Sequence, residues 1–143
     1  MEKTTKDILN LTRKLIEKKE NWLQDNHEII REDGTSQRCL VTAIAAAEEC
    51  QIDPRTGFLI APVSDSTCDA MELLADLIKD RCPESLLAEI EDHHRAIAPR
   101  TRSMREPCLD DETWLFYFND HDDPDYDTHE AIIEILDEAI AQS

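Results

Sequence analysis

The chain predicts a mainly α fold, a compact single-domain bundle of about five helices spanning residues 1–143, with an irregular or short extended segment before the last helix. Three observations carry this. Apolar residues recur at helical spacing near both ends of the chain. Only two glycines in 143 residues leave little material for the turns of an all-β design. No internal repeat or low-complexity linker divides the chain, and its length suits one core, able to remove about 70% of the unfolded surface from water.

The elements follow in order. Ile8, Leu15 and Trp22 repeat every seven residues, Leu9, Ile16 and Leu23 follow one position behind, and Leu11 fills the stripe. This predicts an amphipathic helix from Thr4 to Asp25, with Trp22 buried against its neighbours. Asp33-Gly34-Thr35-Ser36 then supplies a turn and N-caps for a second helix, in which Cys39, Leu40, Ala43, Ile44 and Ala47 share a face. Between Gln51 and Asp65, Pro54, Gly57 and Pro62 bracket Phe58-Leu59-Ile60-Ala61, which reads as a loop with one short extended piece. Ser64 or Ser66 caps a third helix carrying Cys68, Met71, Leu74, Ala75 and Ile78 inward. Pro83 fits the first position of a fourth, with Leu86, Leu87, Ile90 and Ile97 inward, and Pro99 ends it. The run Trp114-Leu115-Phe116-Tyr117-Phe118 is a strand or a buried connection, which periodicity alone does not decide. Asp127 or Thr128 caps the last helix, with Glu130 placed as in a capping box and Ile132, Ile133, Leu136, Ala139 and Ile140 forming its apolar face.

Charge narrows the partners. The formal net charge is -18, and from Glu106 to Ser143 there is no Lys or Arg while thirteen positions are Asp or Glu. Each phosphate contact needs Lys or Arg to displace counterions, so direct nucleic-acid binding and adsorption to an anionic membrane are disfavoured and a protein with a basic surface is favoured. The one local basic patch is Arg95, Arg100, Arg102 and Arg105. No run of eighteen apolar residues or basic-then-apolar leader is present, so the chain is expected neither to span a membrane nor to be secreted through a visible signal. The five cysteines, Cys39, Cys50, Cys68, Cys82 and Cys108, are odd in number and unpatterned, and are expected as reduced thiols in a cytoplasm. Cys39 and Cys50, eleven residues apart, fall on one helical face and suit the core.

No metal or cofactor is expected. Asn119, His121, Asp123, Asp125, Asp127 and Glu130 take the spacing of a calcium loop, but Pro124 occupies the position where the sharp turn needs Gly, and His is a poor third ligand. His93 and His94 are adjacent and diverge on a helix, without a second ligand pair for zinc. Cys108 and His121 supply the residue types of nucleophilic catalysis without any sign of proximity. No Gly-rich phosphate loop exists.

A resemblance then emerges from three blocks of residues. They are Asp7-Ile8-Leu9 through Trp22-Leu23-Gln24, then Gly34 with Cys39-Leu40-Val41-Thr42-Ala43, and finally Phe118-Asn119-Asp120 with Thr128-His129-Glu130-Ala131-Ile132-Ile133. Over nearly the whole chain this resembles an uncharacterised domain of unknown function found in actinobacteria and phages. Its motifs read Gly-Trp-x-Gln-Gly, Cys-Leu-x-Gly-Ala and Trp-Asn-Asp. Here Asn21 and Asp25 replace the two glycines of the first motif, Thr42 the glycine of the second, and Phe118 the tryptophan of the third. The resemblance implies a small helical domain of prokaryotic or phage origin and no established activity.

Two classes of function follow. In the first, the chain is an acidic protein-interaction module without catalysis, in one form a phage-encoded inhibitor imitating nucleic acid, with Asp122, Asp123 and Asp125 on the recognition loop. In the second, it binds a small ligand or acts as an enzyme, with a pocket near Asn119, Asp120, Arg100 and Arg102 within the patch from Arg95 to Arg105. For Asn119-Asp120 the residue types favour a turn in which short polar side chains satisfy backbone N–H groups.

Overall fold

A computed structural model of the chain describes residues 3–24, 28–53, 59, 63–81, 84, 87–89, 91–92, 114–115, 117–120 and 127–143. Among these the fold is mainly helical: α1 (Thr5–Ile16), a 3₁₀ turn (Lys19–Asn21), strands β1 (Glu28–Ile30) and β2 (Ser36–Arg38), α2 (Leu40–Glu48), α3 (Asp65–Arg81) and α4 (Thr128–Gln142). Residues 84, 87–89 and 91–92 are helical too, as are 114–115 and 117–119. Helix α1 lies at the centre, packed against α2, α3 and α4, and α3 also packs on α4.

The start of α1 is fixed locally. The Thr4 hydroxyl accepts from Asp7 N at 3.1 Å, and the Asp7 carboxylate accepts from Thr4 N at 3.0 Å, a reciprocal pair that satisfies two otherwise open donors. The buried stripe is Ile8, Leu9, Thr12 and Ile16, while Leu11 is exposed. The helix stops well short of Asp25. His129 Nε2 meets the Ile16 carbonyl at 2.8 Å, the 3₁₀ turn follows, and Trp22 is extended and bridged in parallel to Arg38. Leu23 N then donates to the Arg38 carbonyl at 3.0 Å. Trp22 is buried as its sequence position predicts, but a turn delivers it to the core rather than a continued heptad. Tertiary hydrogen bonds at Ile16, Trp22 and Leu23 outweigh a weak helical preference at Asn21 and Trp22.

The segment before α2 is a hairpin rather than a turn and cap alone. Glu28 pairs with Arg38, Ile29 with Gln37 and Ile30 with Ser36. Asp33 Oδ1 accepts from Thr35 N at 2.9 Å, and Gly34, at φ 89°, takes the left-handed conformation that Gly adopts most readily. The cap of α2 is Cys39, whose Sγ accepts from Thr42 N at 3.4 Å, rather than any of residues 33–36. Buried on nearly every side, α2 packs into the core against α1, where its alanines permit close approach.

Ser64 caps α3, its Oγ accepting from Thr67 N at 3.2 Å, and Met71, Leu74, Ala75 and Ile78 face inward as the periodicity predicts. An isolated antiparallel bridge joins Ile52 to Leu59; the rest of the extended piece expected at 58–61 lies outside the described residues. The aromatic segment is helical at 114–115 and 117–119, with Trp114, Leu115, Phe118 and Asn119 buried. That burial recurs at helical spacing, and the β preference of the aromatics yields to it. Asp127 caps α4 by accepting from Glu130 N at 3.1 Å. Ile132, Leu136 and Ala139 are buried, Ile133 and Ile140 are packed at the edge, and Ile135 joins the core.

Candidate functional site

Asn119 ends the short helical stretch at 117–119 and is fully buried. Its Oδ1 accepts from Trp22 Nε1 at 2.7 Å and from Leu40 N at 3.0 Å. Its Nδ2 donates to the Leu23 carbonyl at 2.9 Å and to Asp120 Oδ1 at 3.0 Å. A primary amide has two donors and two acceptor lone pairs, so all its capacity is committed inside the fold. Gln24 Nε2 adds a bond to the Asn119 carbonyl at 3.2 Å. The His129 ring lies 5.3 Å from that of Trp22 and is tilted by 45°. Three segments far apart in sequence are thus locked by one amide: the exit of α1, the first residue of α2 and the aromatic helix. Burial raises the Tyr117 hydroxyl pKa, and the charge of Asp120, half-buried in the turn after Asn119, adds to the rise. What this arrangement does chemically is hold the domain together.

The exposed chemistry lies elsewhere. Asp65, Asp69, Glu72, Asp76 and Asp80 are exposed along α3 and fall within one face, at intervals of three or four residues. Burying the Met71, Leu74 and Ile78 side of the helix forces these carboxylates outward. The two cations of α3 do not neutralise them. Lys79 Nζ sits over the Trp114 ring, 4.9 Å from its centre, and Arg81 pairs with Glu138. A shorter stripe, Glu130, Glu134 and Asp137, is exposed on α4, where Arg13 takes Asp137 at 2.5 Å.

Of the residues singled out in the sequence, the structure brings Asn119 and Asp120 together with Trp22, Leu23 and Leu40. Arg95, Arg100, Arg102, Arg105, His93, His94, Cys108, His121, Asp122, Asp123 and Asp125 lie outside the described residues. Of the calcium-spaced set, Asn119 Oδ1 is committed to two donors and Asp127 serves as a helix cap. Among the described residues no group of three or more His, Cys, Asp or Glu could hold a metal ion.

The cysteines require a correction. Cys39 and Cys50 are thiols, but Cys68 is disulfide-bonded, so five reduced thiols is the wrong count. Sequence spacing does not report which sulfurs a fold brings within bonding distance. Disulfides persist mainly in oxidising settings, so the thiols no longer argue for a cytoplasmic one. Among the described residues, no helix is long and apolar enough to cross a membrane.

The residues meeting at Asn119 are those of the three resembling blocks, and the comparison with known families agrees. Residues 1–142 match the profile of a family of unknown function (DUF6197). The chain belongs to this family. No curated protein and no solved structure matches it. In this DUF6197 domain His129, which the sequence marks only by its block, joins the Trp22 ring to the end of α1. The signal was its place in the Thr128-His129-Glu130 block. The α3 ridge was equally visible as a carboxylate every three or four residues, once the inward face is assigned.

Proposed function

We propose that this DUF6197 domain is an acidic protein-interaction module that binds a basic protein through the exposed face of α3, without catalysis of its own. The ridge from Asp65 to Asp80, which pairs with no cation among the described residues, supports this reading most directly. Like charges three or four residues apart destabilise a helix by about 0.2–0.5 kcal/mol per pair, so a helix shaped for stability alone would alternate signs. Here the cations of the same helix are directed to Trp114 and Glu138 instead. A one-signed surface of this kind accelerates encounter with a basic partner and rejects acidic ones.

The nucleic-acid-mimic form is less well supported. Along α3 the ridge places a charge about every 5.6 Å, from a rise of about 1.5 Å per residue. One DNA strand carries a phosphate about every 3.4 Å along its axis, a considerably denser array. A pocket at Asn119 has no observation in its favour, because that amide is committed to the fold.

Affinity capture from the native host tests the reading, with the wild-type chain and an Asp69→Asn, Glu72→Gln, Asp76→Asn variant as paired baits. A basic protein retained by the wild type, released by salt and missing from the variant is the expected result. Equal recovery of the same partner on both baits would remove α3 from the account.

A further inference from the structure

We propose that a cavity at the Asp65 end of the ridge receives one lysine side chain of the basic partner, a proposal that rests on the interaction reading above. The cavity, of about 540 Å³, opens where the residues before α1, the end of α2 and the start of α3 meet. Ile8 and Val63 give it apolar lining, and Glu48, Glu49 and Asp65 make its wall acidic. Lysine matches that pairing: four methylenes to lie on apolar surface and a compact ammonium with three donors at the tip.

Glu48 supplies the second observation. Glu48 is half-buried, and its Oε1 accepts from Ser64 N at 2.8 Å, while its Oε2 atom is buried and accepts no hydrogen bond among the described residues. A buried carboxylate oxygen without a donor is unfavourable, and an ammonium entering the cavity that Glu48 lines would supply one. The cation already in the wall is committed, since Lys3 Nζ donates to the Ala47 carbonyl at 2.6 Å. Asp65 belongs both to the wall and to the ridge, so a basic segment lying along α3 carries a side chain to the cavity mouth. A single unpartnered oxygen suits a point donor better than the planar fork of arginine.

The test uses the whole chain with two probes, n-butylammonium and octalysine. In methyl-resolved NMR, n-butylammonium should give saturable shifts at Ile8 and Val63, and octalysine should shift the same methyls. Glu48→Gln should weaken octalysine about tenfold or more at low salt without lowering the melting temperature appreciably. Octalysine binding that the α3 triple variant abolishes, but that Glu48→Gln leaves unchanged and that moves neither methyl, would overturn the cavity while leaving the interaction reading intact. Absence of octalysine binding to the wild type at low salt would count against both.

Discussion

Trp22 Nε1 donates to Asn119 Oδ1 at 2.7 Å across a sequence separation of 97 residues, and the same oxygen accepts from Leu40 N, the first residue of α2. One side chain therefore sets the exit of α1, the start of α2 and the aromatic helix in a single arrangement. Asn119→Ala would leave the Trp22 indole, the Leu40 amide and the Leu23 carbonyl without partners in a buried site. At roughly 1–3 kcal/mol for each stranded group, the loss should exceed about 3 kcal/mol. Trp22→Phe removes one donor and some packing, and should cost less than Asn119→Ala. Urea unfolding of the two variants and their combination checks this. A cost below about 1 kcal/mol for Asn119→Ala would mean the amide is dispensable.

Much of this fold could be read from the residues, and what could not has a physical cause. The caps at Ser64 and Asp127 and the inward faces of α3 and α4 depend on local spacing, and they stand where the sequence puts them. Helix α1 is shorter than its heptads suggest because partners at Arg38, Asn119 and His129 take the groups from Ile16 to Leu23, and none of these is close in sequence. The hairpin is not legible in the residues because Ile29 and Ile30 are both exposed, so β1 lacks the alternation that marks a half-buried strand. Asn119 could be recognised as a turn-forming or functional asparagine, but its commitment to the Trp22 indole depends on tertiary geometry.

Glu49 ends α2 in the left-handed conformation, at φ 65°, a position usually given to Gly. Glu49→Gly should raise stability by up to about 1 kcal/mol by relieving that conformation, offset in part by greater freedom in the unfolded chain. Thermal unfolding read beside the wild type settles the sign. A clear loss of stability would show that the Glu49 side chain contributes more than its backbone strain removes.

The three described cysteines should separate by reactivity. Burial pushes the Cys39 thiol pKa up, so little thiolate forms at neutral pH, whereas Cys50 is only half-buried. Under native, non-reducing conditions iodoacetamide should label Cys50 first. Cys39 should react only on unfolding, and Cys68 only after reduction. Peptide mass mapping checks the order, and labelling of Cys68 without reductant would contradict the disulfide.

Asp7 is held below its ordinary pKa of 3.8, first by the Thr4 backbone N–H and then by the Thr4 hydroxyl. A folded-state pKa below the unfolded value contributes stability that is present above pH 3.8 and is lost as the pH falls through the folded value. The stability difference between wild type and Asp7→Asn should therefore be constant near neutrality and shrink on acidification below the ordinary carboxylate range. A difference that stays constant through that range would assign the effect of the substitution to something other than this charge.

The most direct test of the central claim measures stability and partner affinity on one protein, the Asp69→Asn, Glu72→Gln, Asp76→Asn variant. Removing like charges from an exposed helix face should leave the melting temperature unchanged or raise it slightly. Affinity for the captured basic partner should fall sharply at low salt, and the gap from wild type should narrow as salt rises, because ions screen exposed charges over about 8 Å at physiological strength. A variant that keeps its fold and binds the partner as tightly as the wild type at low salt would contradict the assignment of recognition to α3.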